Sequence, residues 1–292
     1  MKPAPFEYAD PTSVEAAVAL LRERDGEAQV LAGGQSLMPL LNMRLARPAL
    51  LVDLRRVPGL DTVREADGGL AIGAMATKRQ VEELALVAAR HPMLRVATRL
   101  IGHPQIRNRG TVGGSMAQAD PAGEYPALAV ALDAELVAVG PNGPRSIPAC
   151  EFFVGALTTA LADDEILTEV RLPRVPDGTG WSFLEIARRP GDFAMAGAAT
   201  TLTLDRDGAC SQARIVVFGV APRPQRVRVA EEVLQGETPS KKLFERAAEC
   251  VTRELADPLS DVHASGEYRR DLAGVLVRRG LAEALGRSER AA

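Results

Sequence analysis

Residues 111–128 read TVGGSMAQADPAGEYPAL. Two adjacent glycines, Gly113 and Gly114, are flanked by Thr111 and Ser115, and Asp120 and Glu124 follow closely. Paired glycines mark backbone that bends sharply or approaches another group, because two successive Cβ atoms are missing. A second pair, Gly33 and Gly34, stands in LAGGQSLMPLL, residues 31–41, again beside a hydroxyl residue and an apolar run. One such pair reads as an ordinary turn. Its recurrence asks for a shared role.

Around the earlier pair, AQVLAGG reads as a buried strand ending in a glycine turn. SLMPLLNMRLA reads as a short, irregular helix that tolerates Pro39 only in its first turn, and ALLVDL as the next strand. Upstream, PTSVEAAVALLRER carries Val14, Ala17, Val18 and Leu21 at helical spacing. Ser13 is its expected cap, with Asp10 and Thr12 as alternatives. The order strand, glycine loop, helix, strand defines a β-α-β-like subdomain of about residues 1–57.

Around the later pair, TVREADGGLAIGA reads as a hairpin on an Ala-Asp-Gly-Gly turn. TKRQVEELALVAARHP opens with Thr77 and Gln80 at capping-box spacing and is predicted as one helix. Another helix follows to about Leu100. Residues 111–115 are predicted as a polar glycine loop and 124–132 as an apolar helix. A hairpin then turns at Pro-Asn-Gly-Pro, and DEILTEVRLP is a closing strand. RVPDGTG, residues 174–180, is the best linker. The expected division is therefore 1–177, with subdomains of about 1–57 and 58–177, and 178–292. In the second part WSFLEIARR, AMAGAATTLTL and ARIVVFGVA read as three strands, with helices over 227–234, 241–255 and 268–285. The fold class is α+β.

The bulk composition bounds the function. The 292 residues are 46% hydrophobic and 25% charged, as in globular proteins and unlike disordered ones. A net charge of −3 carries no nucleic-acid footprint. No apolar run reaches the roughly 18 residues of a membrane span. The N-terminus has no signal-peptide core, so a cytoplasmic location is expected. Cys150, Cys210 and Cys250 are scattered without a CxxC pair, and His91, His103 and His263 lack ligand spacing. No metal or iron–sulfur site is expected in this chain.

The glycine pairs suggest chemistry. Successive N–H groups in such turns converge into a concave anion site, and Ser36, Thr111 and Ser115 add hydroxyls. Two such loops can grip the diphosphate of a dinucleotide. A Walker loop is excluded, since no Gly-Lys-Ser/Thr follows. AGGQSL also lacks the G-x-G-x-x-G of a Rossmann fold. Asp120 and Glu124 either accept hydrogen bonds from a ligand or begin a helix, Asp120 as N-cap and Glu124 in the first turn. Arg107 and Arg109 either neutralise phosphate or pair with an acid. RRPGDFAMAG is either a plain strand-to-strand turn or places Phe193 over a flat ring. His263 either caps and packs or faces a site.

AGGQSLMPLLNMRLARP and IRNRGTVGGSMAQADPAGEYPA are together similar to the two FAD-binding signatures of the flavoprotein (medium) subunit of molybdenum hydroxylases. That family includes aerobic carbon monoxide dehydrogenase and relatives acting on purines, N-heteroaromatics and aldehydes. PFEYADPTSVEAAVALL, RPGDFAMAG, VFGVAPRPQRVRVAEEVLQG and HASGEYRRDLAGVLVRRGLAEA extend the likeness over nearly the whole chain. The resemblance implies a two-subdomain FAD-binding domain of the vanillyl-alcohol-oxidase/PCMH type. A C-terminal domain of a three-stranded antiparallel sheet and helices would follow it.

The resemblance also implies noncovalent FAD. Ala32, Gly33, Gly34, Gln35 and Ser36 would surround its pyrophosphate, with Thr111, Val112, Gly113, Gly114 and Ser115 on the other side. Asp120 and Glu124 would lie near the flavin or its ribityl chain. Phe193 stands where the family often has tyrosine near the isoalloxazine ring; it keeps the flat face and lacks the hydroxyl. No catalytic acid or base is implied. The molybdenum cofactor would reside in a large partner subunit and 2Fe–2S clusters in a small one. The assembly would be a heterotrimer, with a dimer of heterotrimers compatible. Electrons would pass from the clusters to FAD and on to an external acceptor. The alternatives are a stand-alone flavin reductase or oxidase of the same fold, and a scaffold without flavin. A paired Gly33→Val and Gly114→Val change is expected to abolish flavin binding while leaving the fold intact.

Overall fold

The computed structural model describes residues 2–291, with side chains to Ser288. Met1 and Ala292, the outermost residues of the expected domains, lie outside the described residues. The chain opens with β1 (Glu7–Ala9), α1 (Val14–Glu23), β2 (Ala28–Leu31), α2 (Leu37–Asn42) and β3 (Leu50–Asp53). The three strands form a parallel sheet in the order β1-β3-β2. Ala17, Val18 and Leu21 bury one face of α1, and Ser13 Oγ accepts from the Ala16 N–H at 3.1 Å, as the spacing predicts. Parallel strands need crossovers. The crossover from β2 to β3 begins with the first glycine pair and continues through α2.

The second subdomain begins with the hairpin β4 (Val63–Ala66) and β5 (Gly69–Gly73). Asp67 and Gly68 sit at its turn with φ of 50° and 77°, the left-handed pair that two-residue hairpins require. Then come α3 (Lys78–Glu83), α4 (Ala85–Arg90), α5 (Pro92–Leu100), α6 (Pro104–Arg107), α7 (Val112–Gln118) and α8 (Glu124–Ala131). β6 (Glu135–Gly140), β7 (Gly143–Pro148), α9 (Ala149–Phe152), β8 (Phe153–Gly155), β9 (Thr158–Thr159) and β10 (Ile166–Leu172) complete it. The antiparallel sheet runs β4-β5-β10-β6-β7, while β8 and β9 pair separately. Every residue of α8 is buried, so this helix is the centre of the main core.

Three local expectations are corrected. The helix predicted across TKRQVEELALVAARHP is two helices, broken at Leu84 with ψ of 124°. On one continuous helix Val81 and Val87 would point about 120° apart; the break lets both be fully buried. The predicted glycine loop at 111–115 is instead the start of α7, capped by Thr111, whose Oγ1 accepts from the Gly114 N–H at 3.0 Å. Asp120 is not the N-cap of α8. Gly123 takes that place, while Asp120 Oδ1 accepts from the Ala122 N–H at 2.9 Å within the turn between α7 and α8. That turn begins at Ala119, which is left-handed at φ 48°.

The C-terminal part contains β11 (Thr179–Ala187), β12 (Ala194–Leu204), β13 (Cys210–Phe218), β14 (Gln225–Arg226), α10 (Arg228–Leu234), α11 (Lys241–Glu254) and α12 (Gly266–Ala291). The two-residue β14 extends the three predicted strands into a sheet ordered β11-β12-β13-β14. One face joins the main core through Phe183, Ala199, Val216 and Phe218. The other packs on α10, α11 and α12. The rings of Phe183 and Phe218 stack with centroids 5.2 Å apart. Gly197 leaves the space that the Phe218 ring fills. No described helix is long and apolar enough to cross a membrane.

Candidate functional site

Nine of the residues named from the sequence line one cleft: Ala32, Gly33, Gly34, Gln35, Ser36, Thr111, Gly113, Gly114 and Ser115. The two segments touch. A Cβ on Gly33 would overlap the Arg109 carbonyl oxygen and stand 2.9 Å from Gly110 Cα. A Cβ on Gly114 would stand 3.6 Å from Ala32 Cβ. At Gly33 only glycine permits this approach. Val112 is turned away: its side chain is buried in the core and its N–H donates to the Ala76 carbonyl at 2.9 Å.

The backbones of the two segments differ. Gly34 adopts φ 72°, and Gln35 Nε2 donates to the Gly33 carbonyl at 3.1 Å, which fixes the bend. The N–H groups of Gly33, Gly34, Gln35 and Ser36 find no intrachain acceptor among the described residues. In the second segment the amides from Val112 to Ser115 are engaged. Val112 and Gly113 donate to Ala76 and Ala74 at 2.9 and 2.8 Å, Gly114 to Thr111 Oγ1, and Ser115 to the Thr111 carbonyl at 3.2 Å. A Cβ on Gly113 would run into Ala74 Cβ and stand 2.8 Å from the Ala74 carbonyl oxygen. The second pair therefore lets α7 press against the end of β5. The first presents open donors, as a diphosphate requires. Glycine walls, free amides and the Ser36, Thr111 and Ser115 hydroxyls fit a dinucleotide. Among the described residues no cluster of three or more His, Cys, Asp or Glu could hold a metal.

The other three named residues lie elsewhere. Asp120 and Phe193 line a second cavity with Arg188, Asp192, His263 and Arg269. Phe193 is 68% exposed, so the benzyl face is available at the rim. Burial pushes the Asp120 carboxyl up, against the lowering effect of the Ala122 N–H. Arg269 is buried and pins the rim, donating to the Met195 and Gly219 carbonyls and to Asp261 Oδ2, each at 2.7 Å. His263 Nδ1 stands 3.5 Å from Arg188 Nη1. Glu124 lines neither cavity. It is enclosed at the start of α8, where burial pushes it up to about 7 despite the N–H of its own backbone and the Lys78 charge. Arg107 takes the structural option: Nε donates to Glu82 Oε2 at 2.9 Å, and Nη1 to the Ile101 and Gly102 carbonyls.

Sequence reasoning missed Lys78 and Gln118 in the first cleft and Arg269 at the second cavity. Lys78 follows a capping threonine and looks like a solvated helix residue. Arg269 stands in GEYRRDL beside a second arginine, and nothing local separates the buried one from the half-buried one.

A cleft walled by two glycine segments, with no Rossmann fingerprint, defines a non-Rossmann dinucleotide site, as the resemblance to the molybdenum-hydroxylase flavoproteins implies. Residues 4–175 match the family described as FAD binding domain in molybdopterin dehydrogenase. Residues 181–284 match CO dehydrogenase flavoprotein C-terminal domain. The 6-hydroxypseudooxynicotine dehydrogenase complex subunit alpha of Paenarthrobacter nicotinovorans is 43% identical, over 99% of this chain and 97% of its own length. The carbon monoxide dehydrogenase medium chain of Hydrogenophaga pseudoflava is 38% identical, over 96% and 97%. The structure of carbon monoxide dehydrogenase from Hydrogenophaga pseudoflava lacking the Mo-pyranopterin moiety of the molybdenum cofactor superposes with a TM-score of 0.95 at 39% identity. It covers 98% of this chain and 99% of that one. The chain belongs to the FAD-binding medium subunits of the carbon monoxide dehydrogenase/xanthine dehydrogenase family. It carries an FAD-binding domain and is an oxidoreductase subunit.

Proposed function

We propose that this chain is the FAD-carrying electron-transfer subunit of a heterotrimeric molybdenum hydroxylase. The carrying observation is the meeting of two glycine segments, far apart in sequence, around one cleft with four open amides. In this reading Gly33, Gly34, Gln35 and Ser36 donate to the diphosphate of noncovalent FAD. The hydroxyls of Thr111 and Ser115 close the opposite wall. α7 leads from that cleft to Asp120, and its seven residues span about 10 Å. A dinucleotide can therefore lie with its diphosphate at Gly33 and its ring in the second cavity. Phe193 covers a ring face there, and Asp120 accepts a polar hydrogen from the ring or the ribityl chain. Bound flavin supplies the redox chemistry, taking up electrons and releasing them to an external acceptor. The residues of this chain hold and orient it and leave one face open.

The partners in this reading are a large molybdopterin subunit and a small iron–sulfur subunit, in the cytoplasm, with assembly into a dimer of heterotrimers. The domain division falls near residue 177. Substrate choice rests with the large subunit: relatives named for a hydroxylated nicotine derivative and for carbon monoxide are 43% and 38% identical to this chain. Purification of the native complex tests the reading. A yellow preparation with stoichiometric FAD and two co-purifying subunits is expected. A flavin spectrum without partners would favour a stand-alone reductase or oxidase, and no flavin after reconstitution would remove the proposal.

A further inference from the structure

Neither glycine segment contains a basic residue. A cation enters the cleft from a third segment. Lys78 is the first residue of α3, held by a complete capping box: Thr77 Oγ1 accepts from the Gln80 N–H at 3.2 Å and Gln80 Oε1 accepts from the Thr77 N–H at 2.7 Å. Its own N–H donates to the Gly110 carbonyl at 2.8 Å. The stem runs over Gly110, where a Cβ would stand 3.4 Å from both Lys78 Cδ and Cε. Gly110 is also the residue whose Cα underlies Gly33. Lys78 therefore reaches the cleft at the joint of the two glycine segments. Its Nζ lies 5.6 Å from the centroid of the Tyr125 ring.

Lys78 is only 8% exposed, and among the described residues its side chain has no hydrogen bond and no ion pair. Glu124 acts on it through its charge but forms no salt bridge with it among the described residues. Burial lowers the Lys78 ammonium from its usual range, against the raising effect of the Glu124 charge. A largely buried ammonium whose close contact is a ring face, with neither hydrogen bond nor ion pair, is costly, so its retention points to a ligand that completes it. Among the described residues it is the one cationic residue lining the cleft. The acid there, Glu165, is already held by Arg145 at 2.6 and 2.7 Å.

We propose that Lys78 is the counter-ion of the bound dinucleotide, its Nζ donating to a phosphate oxygen where the two glycine segments meet. This rests on the FAD-carrying role proposed above. The open amides of residues 33–36 supply neutral donors, which orient a diphosphate without cancelling its charge. Lys78 supplies the charge, inside a cleft where water screens it little. Phe193 and the second cavity lie at the other end of α7, so the ammonium serves the diphosphate and not the ring.

The test uses the full chain freed of flavin, as wild type, Lys78→Met and Lys78→Arg, titrated with FAD and with ADP, which carries the diphosphate without the ring. Lys78→Met is expected to weaken both ligands about 10- to 100-fold, the range for a charge-assisted hydrogen bond. Lys78→Arg should restore part of the loss. Flavin-free Lys78→Met should melt at or above the wild-type temperature, because an unpaired buried charge has been removed. Unchanged affinity for both ligands would overturn the proposal. So would unchanged affinity for oxidised FAD with a shifted midpoint potential, which would place the ammonium at the ring. A loss of affinity accompanied by a lower melting temperature would make Lys78 structural and also overturn it. Wild-type chain that binds ADP but not FAD would refute the flavin reading and leave the Lys78 contact standing; binding of neither would refute both.

Discussion

The four backbone amides of residues 33–36 find no intrachain acceptor among the described residues, whereas those of Val112, Gly113, Gly114 and Ser115 are all engaged. Both segments pair glycines, and both line the same cleft. The first uses glycine for a left-handed bend at Gly34 and for contact with the other segment at Gly33. The second uses it to bring a helix start against Ala74 and Ala32. The difference teaches that a missing Cβ serves two ends. It frees donors for a ligand, or it removes bulk so that backbones can meet. A cleft that grips a dinucleotide needs both: one wall that donates and one wall thin enough to stand close.

The largest expected effect comes from breaking the joint. Gly33→Ala and Gly113→Ala each force a methyl into backbone atoms, and each is expected to destabilise the chain by about 3 kcal/mol or more. Calorimetry should show the loss with or without flavin, and an unchanged melting temperature for Gly113→Ala would refute the packing role. The paired Gly33→Val and Gly114→Val change therefore cannot be expected to spare the fold, because Gly33 is also a packing residue.

Glu124, beyond the second segment, gives a pH-dependent effect. Its folded value of about 7 lies above the ordinary 4.5, so the native state holds a proton that the unfolded chain has released. The associated stability is complete below pH 4.5 and is lost as pH rises through 7. Glu124→Gln should thus raise stability at pH 8 by on the order of 3 kcal/mol and change nothing at pH 4. Denaturant melts at the two pH values check it; equal gains at both would disprove the burial argument.

Smaller effects separate the two walls. Thr111→Val removes the cap on Gly114 and should cost about 1 kcal/mol of stability. FAD affinity should fall by only about threefold, because the lost hydroxyl is shared with the Gly114 N–H and the open amides of residues 33–36 remain. Gly34→Ala should cost about 1 kcal/mol through its φ of 72°, since Met38 nearby is flexible enough to yield. Here FAD affinity should drop further than stability, as the open amides are re-aimed. Fluorescence titration of both variants would reveal a reversed order if the walls were assigned wrongly.

Much of the fold was legible because it is written within a few residues. Ser13 caps α1, Thr77 and Gln80 form a box, and Asp67-Gly68 turns a hairpin, each through contacts no more than three residues apart. The break at Leu84 was not legible: EELALV has helix formers throughout, and only burial of both Val81 and Val87 in one core explains it. The start of α7 looked like a loop because two glycines weaken a helix. Contacts with Ala74 and Ala76, more than thirty residues upstream, offset that weakness.

By itself the sequence determined the α+β class, most of the strands and helices, and the family, and it paired the two glycine segments that line one cleft. Those signals depend on neighbours in the chain and on residue types that only particular backbones accept. The tertiary structure decided which amides stay open, that Val112 faces inward, that Glu124 is enclosed, and that Lys78 reaches the cleft. Each of these turns on a partner brought near by folding, and donor availability or charge burial has no local signature in the residue that bears it.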